Sequence, residues 1–559
     1  MSSRHIHLAD LIEAMADSIP DRVALITSQT QRTYAELDER ATRLANHLAQ
    51  QGIGAGDHVA IHAMNCVEWV EAFYACFKLR AVPVNVNYRY VEGELRYLYD
   101  NSDAKAVIVA PDFVDAVAKV ADALPQLRHQ LVIGPDYEAA LAAASPQRNF
   151  AERSEDDIYL VYTGGTTGMP KGVMWRNEDI IIGALNAYRQ GAPIPSVDAL
   201  AEQATQMTMV FSSMAMGPMM HGGCQWAMGN LHVIGGTFVL YSEPKFNAYQ
   251  ALELAARTRA MSVTTMGDAM ARPIAEALAD PDRPDWNLSG LKILSNGAAP
   301  LSAAVREQIV AAVPGITISD GYGSSETGST GMKVDQGETH AAPRFNTGPN
   351  TQVLDENFQP CPVGVTGVLA TTGHIPLGYY KDPEKTATTF PTVEGRRWVI
   401  SGDFARREED GTVSVLGRGS VSINSGGEKI HPEEVEAALG YAIGGICPIP
   451  PGEGVRTIVD ATAAATLVVI VLPGYSSPSS RITTSKFGYP SLYRKLGKPF
   501  PEDVQEQLWG AIGAVFEYAG EAVRAMPVDE RATLTNMVAE LGGFTGIVAP
   551  DARTVEFLK

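Results

Sequence analysis

Short apolar runs rich in β-branched residues alternate with helical patterns from residue 23 to about residue 323. Strands separated by helix-length segments are typical of a layered α/β fold in which most strands run parallel. The strands predicted in this part of the chain are VALITS, DHVAIHA, VPVNVN, KAVIVA, DIYLVYT, TMVFSS, TFVLYS, MSVTTMG, LKILSNG and ITISDGYG.

The clearest helix follows the first of these strands. Thr33 and Glu36 have the spacing of a capping box, in which the side chain of each residue accepts a hydrogen bond from the backbone N–H of the other. An apolar stripe with helical periodicity follows directly. Its members, which we expect to face the core, are Leu37, Ala41, Leu44, Ala45 and Leu48.

The 559 residues exceed the roughly 250–300 that one hydrophobic core usually supports, so at least two domains are expected. Glycine and polar turn residues crowd residues 411–420, which favours a boundary there. We predict a large layered α/β domain over residues 1–416 and a smaller C-terminal α+β region over residues 417–559.

Charge and composition narrow the class of protein. A formal charge of −20 disfavours a nucleic-acid partner, so a nucleotide would need a local anion site. No targeting segment is apparent, and the longest apolar stretch, residues 461–472, is shorter than the about 20 residues of a membrane span. We expect a soluble cytoplasmic protein in a reducing compartment, because its cysteines are widely spaced: Cys66, Cys76, Cys224, Cys361 and Cys447.

Residues 162–172, YTGGTTGMPKG, have the composition of a phosphate-binding loop after a strand. Glycines allow backbone N–H groups to converge on an anion, threonines add hydroxyl donors, and Lys171 adds a positive charge. The ending of a Walker A loop is absent. A solvated turn is the alternative interpretation of the loop alone.

This loop resembles the signature loop of the adenylate-forming superfamily, which includes acyl-CoA synthetases, nonribosomal adenylation domains and luciferases. Gly164 replaces the usual serine and removes one hydroxyl. The resemblance implies that Thr163 and Lys171 are catalytic and that Thr167 is a second Mg²⁺ ligand. It also implies that the loop binds ATP through Gly164, Gly165, Thr166, Thr167 and Gly168.

A second motif, YGSSETG at residues 322–328, places Glu326 among small hydroxyl residues after a predicted strand. By itself it could be a solvated surface acid. The resemblance implies that Glu326 is the Mg²⁺ ligand and a catalytic residue, that Thr327 contacts the α-phosphate, and that Tyr322, with Gly323, contacts the adenine.

Two weaker elements lie between these motifs. SNGAAP, residues 295–300, could be an ordinary turn after a strand, and PMMHG, residues 218–222, could contain a buried histidine. The resemblance implies that Gly297, Ala298 and Ala299 line the adenine. It also implies that His221, near the acyl pocket, is a catalytic residue.

Later motifs continue the family order. Asp403, in SGD, resembles the aspartate that accepts both ribose hydroxyls, and Arg418, in LGRGS, resembles an arginine that faces ribose and phosphate. Residues 425–436, SGGEKIHPEEVE, resemble the start of the mobile C-terminal lid. Ser420 stands at the hinge position, where a residue only has to absorb backbone rotation.

The resemblance covers residues 1–439 and then stops. The family's late lysine, which offsets charge on the α-phosphate, has only Lys486 and Lys498 as candidates, and neither has the expected sequence context. Residues 440–448 resemble part of the aminoacyl-tRNA deacylase fold, and residues 516–551 resemble a segment of aconitase-type dehydratases. A fused, frame-disturbed or artificial tail is preferred to a second activity, because no cysteine for an iron–sulfur cluster follows Cys447.

The resemblance implies an ATP-dependent, AMP-forming acyl-CoA ligase that uses Mg²⁺ and takes CoA as co-substrate. Its expected substrate is a small carboxylic acid, either a fatty acid or a steroid-derived side-chain acid. Two alternatives remain: an adenylating enzyme that passes the acyl group to a carrier protein, and a nucleotide-binding module with impaired catalysis.

Overall fold

The computed structural model describes residues 4–165, 168–189, 192–299, 301–335, 343–418, 423–425, 428–430, 469–473, 515–519 and 545–548. Contacts divide the chain into two compact units. The first unit comprises Met1–Glu338, Arg344–Ser401 and Ala405–Val413, and the second comprises Thr339–Pro343, Gly402–Phe404 and Ser414–Lys559. The single boundary after residue 416 stays a prediction.

The helices of the described residues all belong to the first unit. A 3₁₀ turn precedes α5 at Pro111–Phe113, and a π-helical turn follows α7 at Ile180–Ala184. The α-helices are α1 Leu8–Ser18, α2 Tyr34–Gln50, α3 Val67–Lys78, α4 Glu92–Asn101, α5 Val114–Ala121, α6 Pro135–Ala143, α7 Asn177–Asp179, α8 Val197–Thr205, α9 Gly222–Val233, α10 Ala248–Thr258, α11 Asp268–Ala279, α12 Ala303–Ala312 and α13 Pro383–Thr389.

The strands extend into both units. They are β1 Val23–Thr27, β2 Gln31–Thr33, β3 His58–His62, β4 Val82–Asn85, β5 Ala104–Val109, β6 His129–Val132, β7 Ile158–Gly165, β8 Gly168–Arg176, β9 Tyr188–Arg189, β10 Ala192–Pro193, β11 Ser212–Ala215, β12 Thr237–Leu240, β13 Ser262–Thr265, β14 Ile293–Asn296, β15 Thr317–Ser324, β16 Gly328–Asp335, β17 Arg344–Thr347, β18 Thr351–Leu354, β19 Thr366–Thr372, β20 Gly378–Tyr379, β21 Thr392–Val393, β22 Arg396–Arg407, β23 Val413–Arg418, β24 Ile423–Ser425, β25 Glu428–Ile430, β26 Val469–Pro473, β27 Val515–Ala519 and β28 Thr545–Val548.

The main sheet of the first unit contains the order β1-β12-β11-β13-β14-β15, and every neighbouring pair in this series is parallel. Helices α10, α11 and α12 cover one face, where Val239, Val263, Leu294 and Ile318 are buried with apolar helix residues. Antiparallel strands β16 and β17 continue the sheet beyond β15. The carboxyl ends of the parallel strands β14 and β15 therefore lie at the β15–β16 hairpin.

A second sheet in the same unit has the order β4-β3-β5-β6 and is parallel throughout. A third, smaller sheet has the order β20-β8-β7 and is antiparallel. The predicted α/β class is confirmed, and the parallel arrangement holds for the β4-β3-β5-β6 sheet and for the β1-β12-β11-β13-β14-β15 part of the main sheet, which is mixed as a whole. The antiparallel hairpins β7–β8 and β15–β16 were not predicted.

The capping box predicted at the start of α2 is present. Thr33 accepts a hydrogen bond from the backbone N–H of Glu36, and the Glu36 carboxylate accepts one from that of Thr33. All five residues of the predicted apolar stripe are fully buried. The strand predicted over TMVFSS begins later, at Ser212. The apolar residues before Ser212 belong to the connection that precedes the strand, and Met209 among them is exposed.

Among the described residues after position 418, in the second unit, there are two small groups of paired strands. Strands β24 and β25 form an antiparallel pair. Strands β26, β27 and β28 form a parallel sheet in which Val469 pairs with Val515 and Val515 pairs with Thr545. Across the described parts of both units, no helix has the length and apolar character needed to cross a membrane.

Candidate active site

The glycine–threonine motif lies at the tip of the β7–β8 hairpin. Thr163 is paired with Lys171, and Gly165 is paired with Gly168, with a register shift between the two pairs. The prediction of a loop after a single strand is therefore corrected: strand pairing continues through the glycines, which tolerate the irregular backbone of a bulge. Thr166 and Thr167 lie outside the described residues, so their phosphate and metal roles stay predictions.

Lys171 is held on the β20 side of this hairpin. Its Nζ lies 2.6 Å from Oδ2 of Asp382 and 5.7 Å from the centre of the Tyr379 ring. Asp382 also caps α13 by accepting a hydrogen bond from the backbone N–H of Lys385. The ammonium group thus stands between a carboxylate and an aromatic face, both of which attract a cation.

The second motif forms the turn of the β15–β16 hairpin. The predicted strand continues through Ser324, which pairs with Gly328, so Glu326 lies at a hairpin turn and not on a longer loop. Oγ1 of Thr327 accepts a hydrogen bond of 2.9 Å from the backbone N–H of Ser324. The Tyr379 hydroxyl donates a hydrogen bond of 2.9 Å to Oε1 of Glu326.

Tyr379 therefore contacts the two charged residues that the sequence analysis had placed in separate motifs. A further bond joins the hairpins: the indole N–H of Trp175 donates to the backbone carbonyl of Ser325 over 3.0 Å. Tyr379, Trp175 and Asp382 were not predicted as site residues from the sequence. The only local signal was the Asp-Pro-Glu string at the start of α13, which has the form of a helix N-terminus.

The residues expected to line the adenine lie at the carboxyl ends of two adjacent parallel strands. Asn296, at the end of β14, pairs in register with Asp320 of β15. Its side-chain amide donates to the Ala299 carbonyl and to the Asp320 carboxylate, both at 3.0 Å. These bonds fix the turn of residues 297–299, in which Ala298 has the left-handed φ of 63°.

That turn lies beside the strand that carries Tyr322. A Cβ atom built on Gly297 would lie 3.8 Å from the carbonyl oxygen of Gly321. The ring of Tyr322 lies 5.3 Å from that of Phe345, at an interplanar angle of 36°. The structure therefore places the turn of residues 297–299 next to Gly321, the residue before Tyr322. The adenine contacts of Gly297, Ala298, Ala299, Tyr322 and Gly323 stay predictions.

His221 is the residue before α9 and lies at the surface of the protein, and its catalytic role stays a prediction. The surrounding protein lowers its pKa by disfavouring the charged imidazolium, and the positive charge of Arg89 acts in the same direction. A Cβ atom on the next residue, Gly222, would lie 3.6 Å from the Ser325 hydroxyl oxygen. The start of α9 thus approaches the hairpin turn that bears Glu326.

The remaining predicted residues are described with the second unit or not at all. Asp403 is buried in β22, and Arg418 ends β23. Ser420, Lys486 and Lys498 lie outside the described residues. The ribose, hinge and late-lysine roles therefore stay predictions.

Residues 12–380 match the family model of the AMP-binding enzymes. The chain belongs to this family. The expected adenylate-forming relationship is confirmed, and the match includes both hairpins, Tyr379 and the turn of residues 297–299. Near the C-terminus, residues 505–559 match the model of the aconitase family (aconitate hydratase), which agrees with the resemblance of residues 516–551.

Curated relatives of this AMP-binding enzyme include CoA ligases. The chain is 42% identical over 456 residues to the 3-oxocholest-4-en-26-oate--CoA ligase of Rhodococcus rhodochrous, covering 78% of this chain and 81% of the relative. It is 44% identical over 454 residues to the medium/long-chain-fatty-acid--CoA/3-oxocholest-4-en-26-oate--CoA ligase of Mycolicibacterium smegmatis, covering 78% of this chain and 82% of the relative.

Solved structures agree with the fold. ATP-bound MatB from Rhodopseudomonas palustris is 26% identical, with a TM-score of 0.65 and coverage of 77% of this chain and 83% of that chain. The anthranilate CoA ligase AuaEII in complex with anthranoyl-AMP is 22% identical, with a TM-score of 0.65 and coverage of 77% and 81%. The predicted adenylate-forming fold is thereby confirmed.

Proposed function

We propose that this AMP-binding enzyme is an ATP-dependent acyl-CoA ligase that activates a carboxylic acid as an acyl-adenylate. One observation carries the proposal most directly. Lys171 and Glu326, from hairpins more than a hundred residues apart in sequence, both contact Tyr379. A cation and an acid that share one neighbouring side chain suit a nucleoside triphosphate with its metal ion, because the phosphates attract the cation and the metal ion attracts the acid.

The proposed chemistry follows from these positions. Lys171 and the backbone N–H groups at the tip of the β7–β8 hairpin bind and orient the phosphates of ATP. The substrate carboxylate attacks the α-phosphorus, the bond to the β-phosphate oxygen breaks, and pyrophosphate leaves. The CoA thiol, losing its proton, then attacks the acyl carbon, and AMP leaves. Each step needs charge stabilisation that preorganised donors supply.

Mg²⁺ fits the residue types at the second hairpin. It prefers carboxylate and other oxygen ligands, and Glu326 offers a carboxylate whose orientation Tyr379 fixes. When bound, Mg²⁺ supplies neutralisation of phosphate charge. Glu326 would hold it, and Thr167 stays the predicted second ligand. The protein's own part is to orient that carboxylate through the Tyr379 hydroxyl, whose ring also contacts Lys171.

The proposed acid is a medium- or long-chain fatty acid or a steroid side-chain acid, because the named relatives act on such acids. The alternatives give different products from the same first step. An enzyme that passes the acyl group to a carrier protein would form adenylate but no acyl-CoA. A binding module would bind ATP without acid-dependent pyrophosphate release.

The proposal is tested by acid-dependent release of pyrophosphate and formation of acyl-CoA with a panel of fatty and steroid acids. Glu326→Gln is the decisive variant. Its amide oxygen can still accept from Tyr379, so the hairpin is kept while the negative charge is lost. We expect activity to fall about 10²–10³-fold. The matched control is Glu356→Gln, at an exposed turn residue, which should leave the rate unchanged.

Equal activity and equal Mg²⁺ dependence in wild type and Glu326→Gln would contradict the assignment of Glu326. Asp403→Ala addresses the predicted ribose contact. It should mainly weaken ATP binding, because a ribose contact exists before the reaction as well as during it. Reduced turnover at saturating ATP with unchanged ATP affinity would exclude that role for Asp403.

A further inference from the structure

We propose that Tyr379 is a positioning residue that sets Glu326 and Lys171 for binding of a metal–nucleotide complex. The inference rests on the proposed function, since it assigns the structural support of the same nucleotide site. Its basis is a pair of contacts from one side chain. The hydroxyl donates to Oε1 of Glu326 at 2.9 Å, and the centre of the ring lies 5.7 Å from Nζ of Lys171.

Tyr379 is itself firmly held, as a positioning residue must be. Its backbone pairs with Val173 of β8, and its N–H donates to Oγ1 of Thr386 over 2.9 Å. Its ring packs edge-on against Phe390 at 5.7 Å, and the residue is 6% exposed. The chain before it is tightly packed: a Cβ atom on Gly378 would lie 2.3 Å from Cγ2 of Thr386. The phenol therefore has little freedom to follow a displaced partner.

The hydroxyl group orients the carboxylate of Glu326. A carboxylate at a hairpin turn otherwise samples several rotamers, and fixing one of them costs conformational entropy each time a ligand binds. Because the Tyr379 hydroxyl donates to Oε1, the other carboxylate oxygen, Oε2, keeps both of its lone pairs for a cation. Outer partners of this kind hold metal ligands in place in other proteins, and losing them weakens metal binding.

The ring acts on Lys171 in a different way. An aromatic face attracts an ammonium group without carrying a formal charge, so it holds the lysine without neutralising it. Asp382, the other partner of Lys171, is a full anion and must share the ammonium group with any bound phosphate. Tyr379 can keep its contact when the phosphate arrives. The same side chain thus keeps the cation and the acid at a fixed separation.

The test compares Tyr379→Phe with Tyr380→Phe. Tyr379→Phe removes the donor to Glu326 and keeps the ring, the strand and the contact with Lys171. Tyr380 is the matched control, because its hydroxyl donates to Asp103 over 2.7 Å instead. The affinity of a non-hydrolysable ATP analogue is measured by calorimetry with Mg²⁺ and with EDTA, and the ratio of the two affinities reports the metal contact.

We expect Tyr379→Phe to lower this ratio roughly 10- to 100-fold, with nearly unchanged affinity in EDTA. Tyr380→Phe should match wild type. In the Glu326→Gln background, Tyr379→Phe should have no further effect on the ratio, because the two residues act as one unit. Tyr379→Leu, which also removes the ring, should weaken binding in EDTA as well.

A wild-type ratio in Tyr379→Phe would overturn the inference, as would equal losses in Tyr379→Phe and Tyr380→Phe. Additive losses in the double variant would overturn it too. Failure of the proposed function gives a different result: the ratio responds as expected, but wild type releases no pyrophosphate when acid is added. Thermal melting of each variant separates loss of the contact from loss of the fold.

Discussion

Gly323 is the position at which a single methyl group should disturb the candidate site most. It lies in β15, where the pairing with β16 shifts register next to Tyr322. A Cβ atom at this residue would lie 2.1 Å from the carbonyl oxygen of Gly328 and 3.2 Å from its carbonyl carbon. Real Cβ atoms do not approach a backbone oxygen so closely, so Gly323→Ala must displace one strand of the hairpin.

The displaced strand has little room. The Gly328 backbone packs closely on Trp175 and Ala184, since a Cβ atom there would meet their side chains at 3.2 and 3.3 Å. Relief must therefore come from the turn of residues 325–327, which bears Glu326. Overpacking of this kind typically costs about 1–3 kcal/mol of stability. A displacement of about 1 Å in a positioned group can cost about 10²-fold in rate.

The assay is acid-dependent pyrophosphate release at saturating ATP, together with thermal unfolding. Gly323→Ala should lose activity about 10²-fold while it stays folded at 25 °C. Gly93→Ala is the matched control, because a Cβ atom at Gly93, in α4, would have no neighbour within 4 Å. Unchanged activity and melting in Gly323→Ala would refute the hairpin geometry.

Three further predictions concern charge, pH and the C-terminal region. Asp382→Asn should tighten ATP binding by up to about five-fold. In the wild type, Lys171 must give up its partly exposed ion pair with Asp382, worth at most about 1 kcal/mol, to bind phosphate, and the variant has no such pair. Weaker ATP binding by calorimetry would contradict this. Burial lowers the pKa of His62 and of His232 to about 4, so the unfolded chain takes up protons that the folded chain does not as pH falls from about 6.5 towards 4. The contribution of these neutral histidines to the free energy of unfolding should be fully present above pH 6.5 and should fall by roughly 3 kcal/mol per histidine as the pH drops to about 4. His62→Phe should therefore make the melting temperature fall less steeply as the pH is lowered. Finally, we expect equal, low rates of pyrophosphate release from three proteins: the full chain, a truncation after Leu439, and Lys486→Ala. The reason is that no late lysine can be identified, and the absence of that lysine raises the barrier by roughly 3–4 kcal/mol. If the full chain is fast and Lys486→Ala alone abolishes that speed, the tail is a working lid.

The parts of the fold that sequence predicted are those determined by local patterns. Thr33 and Glu36 are three residues apart, and the stripe behind them has helical periodicity, so α2 could be predicted from a short window. The parallel strands were visible as apolar runs because both faces of such strands are buried. The motifs pointed to a candidate nucleotide site because glycines, hydroxyl residues and single charges are uncommon together.

What sequence could not predict depends on distant contacts. Glycines have low strand propensity, so YTGGTTG indicated a loop, and only pairing with β8 made Gly164 and Gly165 part of a strand. Tyr379 is 53 residues from Glu326, and no periodicity relates them. The Asp-Pro-Glu string has the form of a helix N-terminus, but nothing in it indicates that the Asp382 carboxylate also binds Lys171, which is 211 residues away.

The most direct test of the central claim follows the oxygen atoms of the acid. The full chain is incubated with ATP, Mg²⁺, CoA and a fatty or steroid acid labelled with ¹⁸O in its carboxyl group, and the products are measured by mass spectrometry. Attack of the carboxylate on the α-phosphorus leaves one labelled oxygen in AMP when CoA releases it. We predict labelled AMP and acyl-CoA in equal amounts, both abolished by omitting the acid. Labelled inorganic phosphate with ADP, or AMP without label, would contradict activation through an acyl-adenylate.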